Sequence, residues 1–270
     1  MAERAIIGLT DWLRTPAGRY VLQWEQTHLD TAVADLFGFH ALQLGLPELD
    51  ALRANRMPHR WVATDHVVAP APDAEAPSPP RVAIALLCDF DALPFDSNSL
   101  DLVVLPHALE FARDPHLALR EVERVLVPEG RVVVVGFNPA SLWGMRQRLG
   151  HWRRRLLMRP AQPLFLPSAG EFMGYRRLRD WLRLLSFEVE AGRFGCYRAP
   201  VTSSRWLSRC EWMERAGERW WPVFGAVYFV VAVKRVRGMR LVGLARAQRK
   251  TAHAPAPVVA THHNIEKESE

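Results

Sequence analysis

The sequence predicts an α/β fold on a mostly parallel sheet with helices on both faces, and three observations carry that expectation. Residues 102–105 and residues 131–137 (RVVVVGF) are continuous apolar runs, as expected of strands buried on both faces of a parallel sheet. Residues 116–126 (HLALREVERVL) between them have a helical period, and Glu129-Gly130 marks a turn. Apolar runs alternating with helices imply βαβ units with right-handed crossovers.

The other elements follow in chain order. Leu13, Tyr20, Trp24 and Leu36 fall at roughly helical spacing, so residues 10–37 read as one helix. Residues 39–46 (FHALQLGL) form a short apolar run with a glycine near its end, which predicts a buried strand. Residues 47–54 predict a brief helix, and residues 61–64 a second strand ending at Asp65. Residues 69–80 (APAPDAEAPSPP) are a Pro/Ala-rich loop or linker. Residues 82–87, 187–197 and 227–235 read as further strands. After about residue 244 the chain is Ala, Pro, His and charge without an apolar period, a composition that predicts a disordered tail. The expected organisation is one domain over residues 1–240, with an N-terminal helical segment (1–37) and a basic insertion (140–170), followed by a tail over 241–270.

Composition bounds the function without choosing it. With 270 residues, 49% of them apolar and 24% charged, the chain is long enough to build a sizeable core. It has 35 Lys+Arg against 29 Asp+Glu, a formal charge of +6, which suits anionic partners of several kinds. Cys88, Cys196 and Cys210 are far apart in the sequence and form neither a disulfide framework nor a metal-binding pair. That usage points to a reducing compartment, the cytoplasm. The first residues lack the basic and apolar pattern of a signal peptide. The longest late apolar run, residues 223–233, is about half of what a spanning helix needs.

The middle of the chain carries the most specific signal. Residues 87–139 read LCDFDALPFDSNSLDLVVLPHALEFARDPHLALREVERVLVPEGRVVVVGFNP. An acid, the triplet Leu93-Pro94-Phe95, a short turn, a strand led by Asp101, a helix with an Arg-Glu pair, a turn and another strand occur in that order. This stretch closely resembles the type-11 branch of the class I S-adenosylmethionine-dependent methyltransferases. The resemblance implies a Rossmann-like fold with a seven-stranded sheet whose last strand, here residues 228–235, is antiparallel. It implies S-adenosylmethionine as cofactor and methyl transfer as the activity. Residues 138–144 (NPASLWG) resemble a smaller bacterial group within the family.

Open α/β sheets bind ligands beyond the carboxyl ends of their strands. At the end of the first strand, Gly45 matches the family's glycine-rich turn, whose glycines let the backbone approach the ligand. Gln43 stands where the family has an acid, and Leu46-Pro47-Glu48-Leu49 replaces the remaining glycines, so the motif is degenerate. Gly45 equally suits a simple strand end. Asp65 matches the acid expected to bind the ribose hydroxyls, each carboxylate oxygen accepting one bond; it equally suits a turn. Asp89 matches the acid that accepts from the adenine amino group, with the Phe90 N–H facing a ring nitrogen; the alternative is a cap. Leu105, Pro106 and His107 match the stretch lining the methionine end. His107 is the candidate base, and otherwise a polar loop residue. Glu110 occupies a position where the family often has Glu or His, and Asp101 a structural one.

Between residues 131 and 170 there are seven arginines and no acid. Leu142, Met145, Leu149, Trp152 and Leu156 recur at steps of three and four, giving a basic amphipathic helix. It suits a lid over a small or lipid-like acceptor, or contact with an anionic membrane surface, or a stripe packed on the domain. Nucleic acid is disfavoured, because no recognised motif accompanies the charge. Trp206, Trp212, Trp220 and Trp221 are expected to pack under the final strand. Two functions are consistent with all this: an active methyltransferase, and a non-catalytic member of the fold that binds a ligand or partner.

Overall fold

The computed structural model of the chain describes residues 3–66, 83–157, 165–167 and 172–235. The Pro/Ala-rich segment 69–80, parts of the basic insertion and the tail lie outside them. Residues 1–236 form one compact unit and residues 237–270 a second; the second lies outside the described residues.

The first unit holds a seven-stranded sheet in the order β3-β2-β1-β4-β5-β7-β6. The strands are β1 (His40–Leu44), β2 (His59–Thr64), β3 (Leu86–Leu87), β4 (Leu100–Pro106), β5 (Leu126–Phe137), β6 (Phe187–Gly195) and β7 (Val227–Lys234). β1 pairs in parallel with β2 and β4, β2 with β3, and β4 with β5. β7 lies antiparallel between β5 and β6. The apolar runs are therefore central strands, as their continuity predicts, and β7 is buried along its whole length. β3 keeps only two described residues of the expected strand over 82–87.

Helices cover both faces. Along β4, Leu102 and Val104 point to one face, with α1 (Glu3–Leu13) and α2 (Pro16–Ala34). Val103 and Leu105 point to the other, with α4 (Pro115–Val125) and α6 (Tyr175–Leu184). This alternation is the period-2 side-chain rule of a strand working against two cores.

Three expectations are corrected. The helix predicted over residues 10–37 is two helices. Thr15 Oγ1 accepts from the Gly18 N–H at 3.1 Å and Pro16 takes the first helical position, so a capped start interrupts the run. A Cβ on Gly18 would sit 2.4 Å from the Trp12 carbonyl, which shows how tightly the corner closes. Residues 47–54 form turns rather than a helix. Trp206, Trp212, Trp220 and Trp221 are exposed instead of packing under β7.

Two further helices follow the sheet's last crossovers: α7 (Ser204–Arg209) and α8 (Trp212–Trp220), after the short α3 (Ala108–Phe111) and the basic α5 (Leu142–Leu157). α5 buries Trp143, Gly144 and Gln147, whereas its apolar stripe, Leu142, Met145, Leu149 and Trp152, faces outward. The stripe therefore does not pack on the domain.

Candidate functional site at the carboxyl edge of the sheet

The turn after β1 is built by one side chain. Gln43 is fully buried on β1. Its Nε2 donates to the carbonyls of Gly45 (3.2 Å), Leu46 (3.0 Å) and Leu49 (2.7 Å), and its Oε1 accepts from the Ala51 N–H at 2.9 Å. An amide is suited to this because it carries donors and an acceptor together. These bonds hold residues 45–51 as consecutive turns, which is why no helix starts here. Gly45 takes φ +78° and Leu46 φ +43°, a left-handed corner that a glycine enters without strain. A Cβ on Gly45 would meet Ala108 at 3.5 Å and the Phe90 ring at 3.7 Å, ordinary contacts. The glycine therefore serves the conformation rather than a close approach.

Asp65 and Asp89 stand at neighbouring strand ends. Thr64 pairs with Leu87, and the Cys88 N–H donates to the Thr64 carbonyl at 2.9 Å. Cys88 lies between the two carboxylates: burial pushes its thiol up to about 11, with Asp89 and Asp65 adding to the shift. Asp89 is exposed. Asp65 is half-buried and bonded to His66 Nδ1 at 2.7 Å. Phe90 is buried with Leu105, Ala108 and Leu44 in one core, so Leu105 directs its side chain into the core and leaves only its backbone at the strand end.

His107 follows β4 in a left-handed conformation (φ 56°, ψ 4°). Its ring is buried: Nε2 lies 2.7 Å from Glu25 on α2, and Nδ1 lies 2.8 Å from Glu110 on α3. Burial pulls the imidazolium down, but Glu25 and then Glu110 outweigh it and hold the pKa at about 10. Burial pushes the Glu110 carboxyl up, against the pull of His107 and of the Phe137 N–H. The Phe137 ring lies 4.4 Å from the imidazole. With both nitrogens engaged by carboxylates, His107 has no free base nitrogen in this arrangement, which corrects the expectation of a general base.

The structure thus brings Gly45, Phe90 and Ala108 into contact and sets Asp65 beside Asp89, while Gln43 and Leu105 turn their side chains inward. Asp101 accepts from the Phe39 and His40 N–H groups at 2.8 and 2.9 Å, the expected structural role. Sequence reasoning missed Glu25 and His66. Glu25 is separated from His107 by 82 positions and looks like any acid on a helix.

The chain has relatives among known proteins. A methyltransferase-domain family model matches residues 49–134. An uncharacterised protein of Escherichia coli strain K12, YafS, is 31% identical over 184 residues, covering 68% of this chain and 67% of that protein. The chain belongs to the class I S-adenosylmethionine-dependent methyltransferases. The malonyl-[acyl-carrier protein] O-methyltransferase of Halorhodospira halophila is 42% identical over 64 residues, 24% of this chain and 21% of that one. A ubiquinone/menaquinone biosynthesis C-methyltransferase of Paraburkholderia xenovorans is 41% identical over 54 residues, 20% and 22% of the two chains. The chain spans about a fifth of the length of these two relatives. Among solved structures, a chain of the Haloferax volcanii complex between the Trm112 methyltransferase activator and a methyltransferase aligns with TM-score 0.53 and 19% identity. That alignment covers 84% of this chain and 96% of that one, a likeness of fold.

The cofactor of the family is S-adenosylmethionine. The residues present fit its adenosine half: carboxylates at two neighbouring strand ends, that of Asp89 exposed. Beyond Gly45 the chain runs through turns held by Gln43. No helix begins at Gly45, so no helix N-terminus faces a carboxylate there.

Proposed function

We propose that the chain transfers a methyl group from S-adenosylmethionine to a small or lipid-like acceptor at this carboxyl edge. Asp65 takes the ribose hydroxyls, Asp89 and the Phe90 N–H take the adenine, and the Gln43-built Gly45 turn with the Leu105 backbone borders the methionine end. His107 is a positioning residue, locking the end of β4 to α2 and α3. The observation that carries this reading is the placement of Asp65 and Asp89 at the ends of the paired strands β2 and β3, beside the left-handed Gly45 turn.

The cofactor supplies an activated methyl on a sulfonium, so the protein's contribution is mainly alignment. The relatives named for acyl-carrier and quinone methylation support an acceptor of small or lipid-like type. Cys88, Cys196 and Cys210 are free thiols, in keeping with work in the reducing cytoplasm. Among the described residues no helix is long and apolar enough to cross a membrane.

Isothermal titration with S-adenosylmethionine and S-adenosylhomocysteine tests the proposal. Binding is expected, and Asp89→Ala should weaken it by about 1–3 kcal/mol, the cost of leaving a hydrogen-bonding partner stranded. No heat with the wild type at millimolar ligand sinks the proposal; unchanged affinity in a folded Asp89→Ala variant sinks the adenine assignment. A second reading, ligand binding without turnover, is favoured by one observation: Gln43 commits its amide to its own loop, where the family has an acid. Binding of S-adenosylmethionine without its conversion to S-adenosylhomocysteine in the presence of small and lipid-like acceptors distinguishes it.

A further inference from the structure

Phe137, Val227 and Gly195 are register partners across β5, β7 and β6. Everything that leaves or enters the sheet at this row therefore lies at the same carboxyl edge as Gly45, Asp65, Asp89 and His107. That includes α5, α7, α8 and the short turn of 3-10 helix Pro222–Phe224. They are tied together: Trp143 Nε1 donates to the Arg198 carbonyl at 2.7 Å, Arg146 donates to the Pro200 carbonyl, and Asn138 Nδ2 donates to the Val223 and Gly225 carbonyls at 2.7 and 2.9 Å.

This edge exposes large apolar side chains to an unusual degree. Trp152 is 60% exposed, Trp206 57%, Trp212 65% and Trp220 73%. Met145, Leu149, Val223 and Phe224 are exposed as well. Large apolar side chains exposed together at one edge of the sheet mark an interaction surface. The charge among these residues is one-sided. Arg146, Arg148, Arg205, Arg209, Arg215 and Arg219 are exposed, against Glu211 and Glu218. The third acid of this stretch, Glu214, turns inward to the Tyr20 hydroxyl and the Cys196 and Tyr197 N–H groups.

We infer that this edge docks on the surface of an anionic lipid bilayer. Tryptophans interleaved with arginines are what the headgroup region selects, because the indole sits at the apolar boundary while the guanidinium meets the phosphate. Arg209 already lies over the Trp206 ring, 5.2 Å from its centroid, so cation and ring reach the same level. A net basic face, with six exposed arginines against two exposed acids, is complementary to a negative leaflet. Docking in this orientation turns the cofactor edge toward the membrane, and it stands whether or not the chain turns over its cofactor.

Vesicle co-sedimentation of the full chain tests this, with phosphatidylcholine alone and with about a third phosphatidylglycerol. Binding is expected only to the anionic vesicles, falling as salt screens the charges, with tryptophan fluorescence quenched by brominated lipid. The triple variant Trp206→Ser/Trp212→Ser/Trp220→Ser should lose the quenching and bind at least about tenfold more weakly. Reversing Arg205, Arg209 and Arg215 to Glu should reduce binding by roughly fivefold or more per residue; these exposed side chains provide a second variant if the first does not fold. A wild type that ignores anionic vesicles at low salt overturns the inference, as does a folded tryptophan variant that binds like the wild type. So does a dimer in sedimentation that the tryptophan variant dissolves, since the face is then a contact between copies.

Discussion

Replacing Gln43 by glutamate, the acid that the family resemblance implies there, is expected from the structure to harm the protein. The Gln43 amide makes one accepted bond, at 2.9 Å, and donates among three carbonyls at 2.7–3.2 Å. Two N–H groups serve three acceptors, so about three bonds count fully. At about 0.5–1.5 kcal/mol net each, plus the cost of leaving Leu49 C=O and Ala51 N–H buried without partners, Gln43→Ala should lose about 3–4 kcal/mol. Glutamate keeps the bond from Ala51, but its second oxygen faces the three carbonyl oxygens without a proton. Ionised, it should cost at least as much as alanine. The carboxyl's folded pKa must then rise above the unfolded value of about 4.3. The folded state binds the extra proton, so the penalty is smallest at low pH, grows as pH rises toward the folded pKa, and is complete above it.

Urea unfolding of wild type, Gln43→Ala and Gln43→Glu at about pH 5 and pH 8 reads this out. At the higher pH, Gln43→Glu should match or fall below Gln43→Ala, with a Tm lowered by roughly 10 °C for a domain of this size. At the lower pH it should recover part of the loss, because the protonated acid donates to the Leu49 carbonyl. A glutamate variant as stable as the wild type at pH 8 would refute the account, and with it the claim that the loop is built on an amide.

Two further outcomes follow from buried polar groups. His107→Ala should lose about 3–5 kcal/mol, because Glu25 and Glu110 remain buried without their cation; in the wild type, with a folded pKa of about 10 above the unfolded value of about 6.5, the imidazolium's stabilisation is complete below the unfolded value and fades as pH rises through the folded one, which urea midpoints from neutral to alkaline pH will show or deny. Asp101→Ala should cost about 1–2 kcal/mol through the loss of two bonds to backbone N–H groups at the start of β1, with cofactor affinity in titration unchanged; an affinity loss would mean that Asp101 belongs to the site.

The sheet was legible because its strands are long apolar runs, and the order of motifs from Asp89 to Phe137 fixed which run is which. Local chemistry also marks what was misread: Thr15-Pro16 is a helix start inside a helical pattern, and the cap outweighed the periodicity. The turns at residues 47–54 were not legible, since the bonds that replace helix formation come from Gln43, a side chain of the preceding strand. Periodicity located α5 and its apolar stripe but did not tell whether the stripe packs on the domain or faces outward. The helix seats Trp143 and Gln147, with Gly144 allowing close approach, and leaves its more regular apolar stripe outward. The exposed tryptophans of α7 and α8 illustrate the same limit, because burial is a property of the partner surface and residue type alone is silent on it.

The helix α2 is tied to the end of β4 by a buried acid of its own. α2 lies on the sheet through Val21, Leu29 and Val33, all fully buried, and Glu25 sits on that same inward face. An acid there is costly unless it meets a cation, and the only partner its Oε1 finds among the described residues is His107. His107 in turn needs a carboxylate at each nitrogen to remain charged while buried. Neither residue is stable in its position without the other, so the docking of α2 and the conformation of the chain after β4 are one event. The same left-handed residue starts α3, which supplies Glu110, whose other oxygen holds the Phe137 N–H at the end of β5. The ends of β4 and β5 and the helix α2 are thereby tied together through an imidazole whose two nitrogens each meet a carboxylate. Alignment is what methyl transfer asks of a protein, and under the proposed function this cluster would contribute it by fixing the end of β4 against α2 and β5.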